Sequence, residues 1–322
     1  MPSTLKTKLF RSIDEQVKLL KGRGLIINDE PLAKKMLLER NYFDLINGFE
    51  TLLLVDSKAA EKKYQNKYFE DFISLYDFDK KLSSSVMAVI SDFEIRLKSS
   101  ISYHFCEKFC QTEADALKYT DIANYNYNSG DTKFYSRHFT THSLFTIDNN
   151  GLDFIARTQK NYSYTNAYTN PPFWVTIKVF TLHEILGIVY NLDRDVLRAV
   201  LSDFNLPLGD KEVFINSIEI TKFMRNSCAH FELTNRFRTP SSTRINRKLQ
   251  RELQLNTVSS SNFSLRLFDS LKVLKKYQNI SSIISLIEDY WESNKSNDKD
   301  YINIALLKRM GCIDIEEWKK LK

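Results

Sequence analysis

Histidine is the side chain best suited to move a proton near neutral pH. This sequence of 322 residues has five: His104, His138, His142, His183 and His230. Two of them follow an arginine by five positions, in Arg225-Asn-Ser-Cys-Ala-His230 and in Arg137-His-Phe-Thr-Thr-His142. Arginine adds a permanent, planar fork of donors for an anion such as a phosphate, so either pair could couple proton transfer to charge stabilisation. The spacing itself is cheap. With sixteen arginines, five histidines and three allowed offsets, roughly 0.75 matches arise by chance. Context separates the two. Arg225 to His230 closes the apolar-periodic stretch KEVFINSIEITKFMRNSCAHF and stands just before a basic segment, whereas Arg137 to His142 lies in an irregular polar one.

Other reactive side chains read more plainly. His183, inside FWVTIKVFTLHEILGIVYNL, is expected to be a hydrogen-bonded packing residue, and Trp174, after Pro171-Pro172, a core residue. Glu94 and Arg96 fall on a charged helix face, as structural or site-supporting residues. Tyr162, Tyr164 and Tyr168 are ordinary surface or core tyrosines, with stacking on unpaired bases as the alternative. Cys106 and Cys110 are four apart and could share a helix face, but no second pair stands at zinc spacing. The four cysteines read as small buried apolar residues, and no metal or other cofactor is expected.

The elements that must position these residues read as helices. Ser12 opens SIDEQVKLLKGRG, with Asp14 and Glu15 in its first turn and Gly22 and Gly24 at its end. Asn28-Asp29-Glu30-Pro31 opens a second helix, and Gly48 stands near the end of a third. Residues 64–110 contain no Gly or Pro and place Phe72, Leu75, Val86, Ile90, Phe93 and Leu97 near helical spacing. Residues 120–172 read as short helices joined by loops. Residues 173–192 read as one buried helix, DRDVLRAVLSDF and 211–231 as two more, and roughly 262–291 and 300–321 as the last. Five positions on one unbroken helix are ~500°, so Arg225 and His230 would point ~140° apart. Either the helix breaks near Cys228 or a site is built from two copies.

Composition bounds the class. Hydrophobic residues are 43% and charged residues 27%, which excludes whole-chain disorder, and 8 glycines and 6 prolines argue against Gly-rich phosphate loops and turn-dense β folds. No apolar run approaches ~18 residues, and MPSTLKTKLFRS has no apolar signal region, so neither a membrane span nor secretion is expected, and the chain reads as cytoplasmic. The net charge is +6, unevenly spread. Residues 236–276 hold ten basic residues against Glu252 and Asp269, or +8 in 41 positions. Such a block favours a polyanion, with solvated helix faces as the plainer alternative. Arg236, Arg238, Arg244, Arg247, Lys248 and Arg251 are its candidate RNA-binding residues.

Several blocks in order also resemble a known family. LKGRGLIINDEPLAKKMLLERNYFDLINGF, LYDFDKKLSSSVMAVISDFEIRLKSSI, PPFWVTIKVFTLHEILGIVYNL and RNSCAHF are similar to successive blocks of the Abi-like abortive-infection proteins, the AbiD/AbiF group, and MGCIDIEEWKKL to that group's ending. The resemblance runs over about residues 12–236 plus the tail. It implies a HEPN (higher eukaryotes and prokaryotes nucleotide-binding) protein, whose motif of Arg, a polar residue, several residues and His is matched by Arg225, Asn226 and His230. It implies an all-α, multi-helix HEPN-like bundle. Residues 1–60 would form a small N-terminal helical region and possible helix-turn-helix, 61–236 the core, and 237–322 the basic segment and C-terminal helices packed on that core.

The implied activity is metal-independent RNA cleavage by a phage-defence toxin. Arg225, Asn226 and His230 would be its catalytic residues, and a structured noncoding RNA antitoxin its partner. HEPN motifs commonly face across a dyad, so a homodimer or higher homo-oligomer is implied. The alternatives are a non-catalytic RNA-binding module and a DNA-binding regulator using the N-terminal helices.

Overall fold

The computed structural model describes residues 9–255, 264–295 and 300–322. It is all-α: among the described residues there are isolated bridges but no strand. Local sequence signals start the helices. Ser12 caps α1 (Ile13–Gly22) by a capping box in which it accepts from Glu15 N while Glu15 accepts from Ser12 N. Asp29 accepts from Leu32 N to cap α2 (Glu30–Glu39), with Pro31 in the first turn. Gly24 has φ 84, and a Cβ there would meet Tyr64 O at 2.6 Å, so glycine is required at this tight return. A π-helical turn at Phe43–Asn47 and the short α3 (Glu50–Leu53) complete the N-terminal part.

The spine is α4 (Phe69–Phe109), 41 residues and about 60 Å long. Phe72, Leu75, Phe78, Leu82, Val86, Ile90, Phe93, Leu97, Ile101 and Phe105 recur three or four apart along it and are buried. The irregular stretch follows, with α5 (Phe134–Arg137), α6 (Phe154–Asn161) and several single turns of 3₁₀ helix.

Residues 173–192 are not one helix. They divide into α7 (Phe173–Thr176), a 3₁₀ turn at Ile177–Val179 and α8 (Leu182–Asn191). The cause is a second capping box. Thr181 accepts from Glu184 N and Glu184 accepts from Thr181 N, so Thr181 starts a new helix inside an apolar run.

Next come α9 (Arg194–Asp203), α10 (Lys211–Ala229) and α11 (Arg247–Glu252), then α12 (Leu267–Lys275), α13 (Ser281–Ser293), α14 (Asp300–Met310) and α15 (Ile315–Lys319). The onset expected near 262 lies outside the described residues, as does Phe263. α4 packs against α9, α10 and α13, and α10 is sandwiched between α4, α8 and α12. One apolar core runs from Val17 to Leu321, so N-terminal and C-terminal helices share it with α4. A smaller cluster of Val213, Ile220, Leu249, Leu255, Leu265 and Val273 seals α11 and α12 onto α10. At the tail, Trp318 is fully buried and donates to Cys312 O at 2.9 Å. No described helix is long and apolar enough to cross a membrane.

Candidate active site at the end of helix α10

α10 continues unbroken through Arg225, Asn226, Ser227 and Cys228 to Ala229. The helix runs just past Cys228, His230 N still donating to Asn226 O at 2.9 Å, and ends at Ala229. The chain leaves the helix one step later. His230 is the C-cap, Phe231 takes φ 59, and Glu232 N closes the turn on Ser227 O. Arg225 and His230 therefore face different ways, and the structure does not bring them together in one chain.

Arg225 faces α4. It lines a hollow of about 1080 Å³ with Met87, Glu94, Ile95, Lys98, Tyr103 and Trp174, among others. Its Nε stands 4.0 Å from Glu94 Oε2, too far for a hydrogen bond, and is buried without an acceptor. Glu94 is held by Lys98 at 2.6 Å instead. The half-buried arginine keeps part of its side chain exposed on the hollow.

Asn226 and His230, one turn apart, face the opposite side and are both exposed. They line a cleft of about 490 Å³ with Phe43, Asp44, Phe223, Arg236 and Arg238 among its walls. The backbone here is fixed from below. Asp79 of α4, 1% exposed, accepts from Thr234 N at 3.0 Å, Asn235 N at 2.7 Å and Asn235 Nδ2 at 2.8 Å. Burial pushes its carboxyl up from the ordinary value, and these donors pull the other way. Arg309 of α14 donates to Asn235 Oδ1 at 3.1 Å, Gly48 O at 3.0 Å and Thr51 Oγ1. Burial brings the Arg309 value down to about 10. Arg236 donates to Asn47 O at 2.7 Å. The N-terminal part, α4 and α14 thus converge on the loop that carries Arg236 and Arg238. Asp79, Asn235 and Arg309 escaped the sequence reading, since nothing local marks residues that meet across more than 150 positions.

The basic segment is less uniform than its composition. Lys248 pairs with Asp210 and Glu252, Lys276 with Glu252, and Lys272 with Asp269. Arg266 donates to Lys308 O and Lys275 to Lys320 O. Among the described residues Arg238, Arg244, Arg247 and Arg251 form no ion pair and are exposed. Phe237 and Phe268 are buried, so this surface offers charge rather than stacking.

Three plainer readings are corrected. Trp174 is not in the core but 58% exposed, because the double proline sets it at the first turn of the short α7, on the rim of the Arg225 hollow. His183 is exposed and rests against the rings of Phe134 and Tyr135 at 6.0 and 6.2 Å, since the start of α8 at Thr181 turns it outward. Partial desolvation of the ring against these neighbours, with Lys222, holds its pKa below the ordinary value. Cys106, Cys110 and Cys312 are only half-buried, because Cys106 lines the Arg225 hollow and Cys110 and Cys312 sit at helix ends; only Cys228 is buried.

Arg96 donates to Tyr277 O at 3.0 Å and to Asp203 O, and lies over the Phe204 ring at 4.4 Å, so it clamps α4 to its neighbours while Glu94 faces the hollow. Tyr162, Tyr164 and Tyr168 are all exposed. His142 is only 8% exposed, its Nδ1 accepting from Leu144 N and its Nε2 bound to Glu184 O. Among the described residues no group of three or more His, Cys, Asp or Glu side chains is placed to hold a metal ion. All four cysteines are free thiols.

The model of a family described as Abi-like protein matches residues 35–234, a span that contains α4, α10, Arg225, Asn226 and His230. No curated protein and no solved structure matches the chain.

Proposed function

The chain belongs to the Abi-like protein family, and on that premise we propose that it is a metal-independent endoribonuclease of the HEPN type, akin to the AbiD/AbiF group. It would be the toxin of an abortive-infection phage-defence system, restrained by a structured noncoding RNA. The observation that carries this reading is the cleft at the end of α10. There the exposed Asn226 and His230 share one wall with Arg236 and Arg238, inside the family-matched segment or at its edge.

The chemistry follows from those side chains. His230 takes the proton of a ribose 2′-OH, and the 2′-oxygen bonds to phosphorus as the bond to the 5′-oxygen breaks. The leaving oxygen receives a proton, so the products are a 2′,3′-cyclic phosphate and a 5′-OH. Guanidinium donors hold the charge that builds on the phosphorane. Asn226, one turn before His230, orients the imidazole or the adjoining backbone. Because Arg225 faces the other way, a second copy related by a dyad supplies the complementary half, which makes the working form a homodimer or a higher homo-oligomer. Exposed Arg238 holds an RNA phosphate at the cleft and Arg244, Arg247 and Arg251 hold others toward the start of α10, with Arg236 and Lys248 in support.

The test is incubation of the purified chain with labelled single-stranded RNA in EDTA. Cleavage to cyclic-phosphate ends by the wild type, lost in His230→Ala and Arg225→Ala with unchanged circular dichroism, is the expected result. Binding without cleavage overturns the enzymatic reading in favour of an RNA-binding module.

A further inference from the structure

We propose that the hollow over α4 is a base-binding subsite, in which an unpaired base of the RNA stacks on Trp174 while its phosphate meets Arg225 and Lys178. The inference rests on the ribonuclease reading and adds to it the part of the substrate that this face recognises. Large apolar side chains are normally withdrawn from water, yet Trp174 is 58% exposed, and Ile95 and Tyr103 are each 63% exposed. All three line the same concave space. Packing does not require them there, since the core beneath is closed by Phe93, Leu97 and Ile101, none of which is solvent-exposed.

The polar groups are placed for an anion beside a ring. Glu94 and Lys98 satisfy each other at 2.6 Å. Glu107 is engaged by His104 at 3.2 Å. That leaves Arg225, whose side chain is 35% exposed and has only a loose 4.0 Å ion pair to Glu94, and the exposed Lys178 in the same lining. The exposed part of the guanidinium fork fits a phosphate oxygen. Lys178 also lies 5.2 Å from the Tyr164 ring, which stands 5.9 Å from Tyr162. Lys178 thus links the hollow that Trp174 lines to two exposed tyrosine rings, and cations beside aromatic rings hold unpaired nucleotides without reading a fixed sequence. A concave wall carrying an arginine and a lysine suits a base and its phosphate.

The experiment uses the full chain carrying His230→Ala, so that RNA stays intact, and follows tryptophan fluorescence. The probes are a single-stranded adenylate hexamer and inorganic polyphosphate, which has charge but no base. Stacking predicts quenching by the hexamer but not by polyphosphate, and its disappearance in Trp174→Phe, which leaves Trp291 and Trp318 as reporters. Trp174→Ala is expected to weaken hexamer binding about tenfold or more, the loss of one stacked base, and Trp174→Phe to restore most of it. In the chain that keeps His230, the same substitutions shift KM more than kcat for cleavage.

The outcomes separate the two readings. Wild-type cleavage with an unaltered KM in Trp174→Ala overturns the subsite and leaves the nuclease standing. Hexamer quenching that depends on Trp174, without any cleavage, upholds the subsite and overturns the nuclease. A dimer that falls apart in Trp174→Ala, with hexamer affinity unchanged, shows that Trp174 packs on the second copy rather than on a base and overturns the subsite.

Discussion

Two segments of this chain carry the same spacing and differ in almost everything else. Arg137 to His142 runs from the last residue of α5 through a single 3₁₀ turn. Its histidine is buried, both ring nitrogens are engaged by Leu144 N and Glu184 O, and its pKa is held below the ordinary value chiefly by burial. Arg225 to His230 ends a 19-residue helix that is buried along most of its length, and it delivers an exposed histidine, an exposed asparagine and an arginine with a free donor. The comparison teaches that spacing does not select a site. What selects it is whether the rigid element stops at the surface and leaves hydrogen-bonding capacity unused. His142 spends its capacity on the fold; Arg225 keeps only a loose 4.0 Å ion pair to Glu94, and His230 stands exposed.

The sharpest way to break that contrast is by substitution. His230→Ala and Arg225→Ala are each expected to lower RNA cleavage by at least about 100-fold, the usual reach of a general acid or base, while Arg137→Ala leaves the rate of a timed cleavage assay unchanged. Equal losses at Arg137 and Arg225 would erase the distinction.

A second effect concerns the loop that frames the cleft. Asp79→Ala leaves Thr234 N, Asn235 N and Asn235 Nδ2 without their acceptor. The expected cost is on the order of 3 kcal/mol, several buried donors being affected. It reads out as a lower denaturant midpoint, with cleavage falling as the loop loosens. A midpoint within error of wild type would show that the loop is positioned from elsewhere.

RNA affinity should fall next. Reversing Arg244, Arg247, Lys248 and Arg251 to glutamate is expected to weaken binding strongly and to flatten its salt dependence, which runs at about −0.7 per neutralised phosphate for a single strand. Because Lys248 already pairs with Asp210 and Glu252, reversing only Arg244, Arg247 and Arg251 should produce most of the change. Salt titrations of the two variants and wild type decide this. Identical slopes in all three would make the segment a solvated face.

His142 gives the smaller, opposite signature. Its folded-state value is lowered below the ordinary 6.5, so its neutral form contributes stability that is present above about pH 6.5 and lost as pH falls through the lowered value. Melting temperatures from pH 7.5 to 5 should drop more steeply in wild type than in His142→Gln. A parallel pair of curves would mean that His142 titrates freely and is not the committed residue described above. The smallest expected effect is that of EDTA on cleavage, which should be nil, and restoration of lost activity by one divalent ion would count against the whole mechanism.

Much of the scaffold was legible in the residues themselves. The Ser12 and Asp29 caps, the long Gly- and Pro-free stretch that became α4, and the end of α10 near residue 230 are local signals, fixed by hydrogen bonds within three or four positions or by apolar spacing. The division of 173–192 was legible too, in the Thr181-Leu-His-Glu184 capping box, but the apolar run around it masked the start. The ~140° between Arg225 and His230 followed from helix geometry once α10 proved continuous.

Side-chain commitments were another matter. Whether Lys248 meets Asp210, whether Trp174 enters the core or stands at a rim, and whether Asp79 reaches the loop 155 positions later depend on which helices pack together. The sequence by itself determined the helices, their caps and the motif at the end of α10, because those rest on neighbours a few residues away. The tertiary structure alone decided which arginines and histidines remain unspent, because hydrogen-bond and ion partners are assigned by long-range contact, and only the groups left over can act on a ligand.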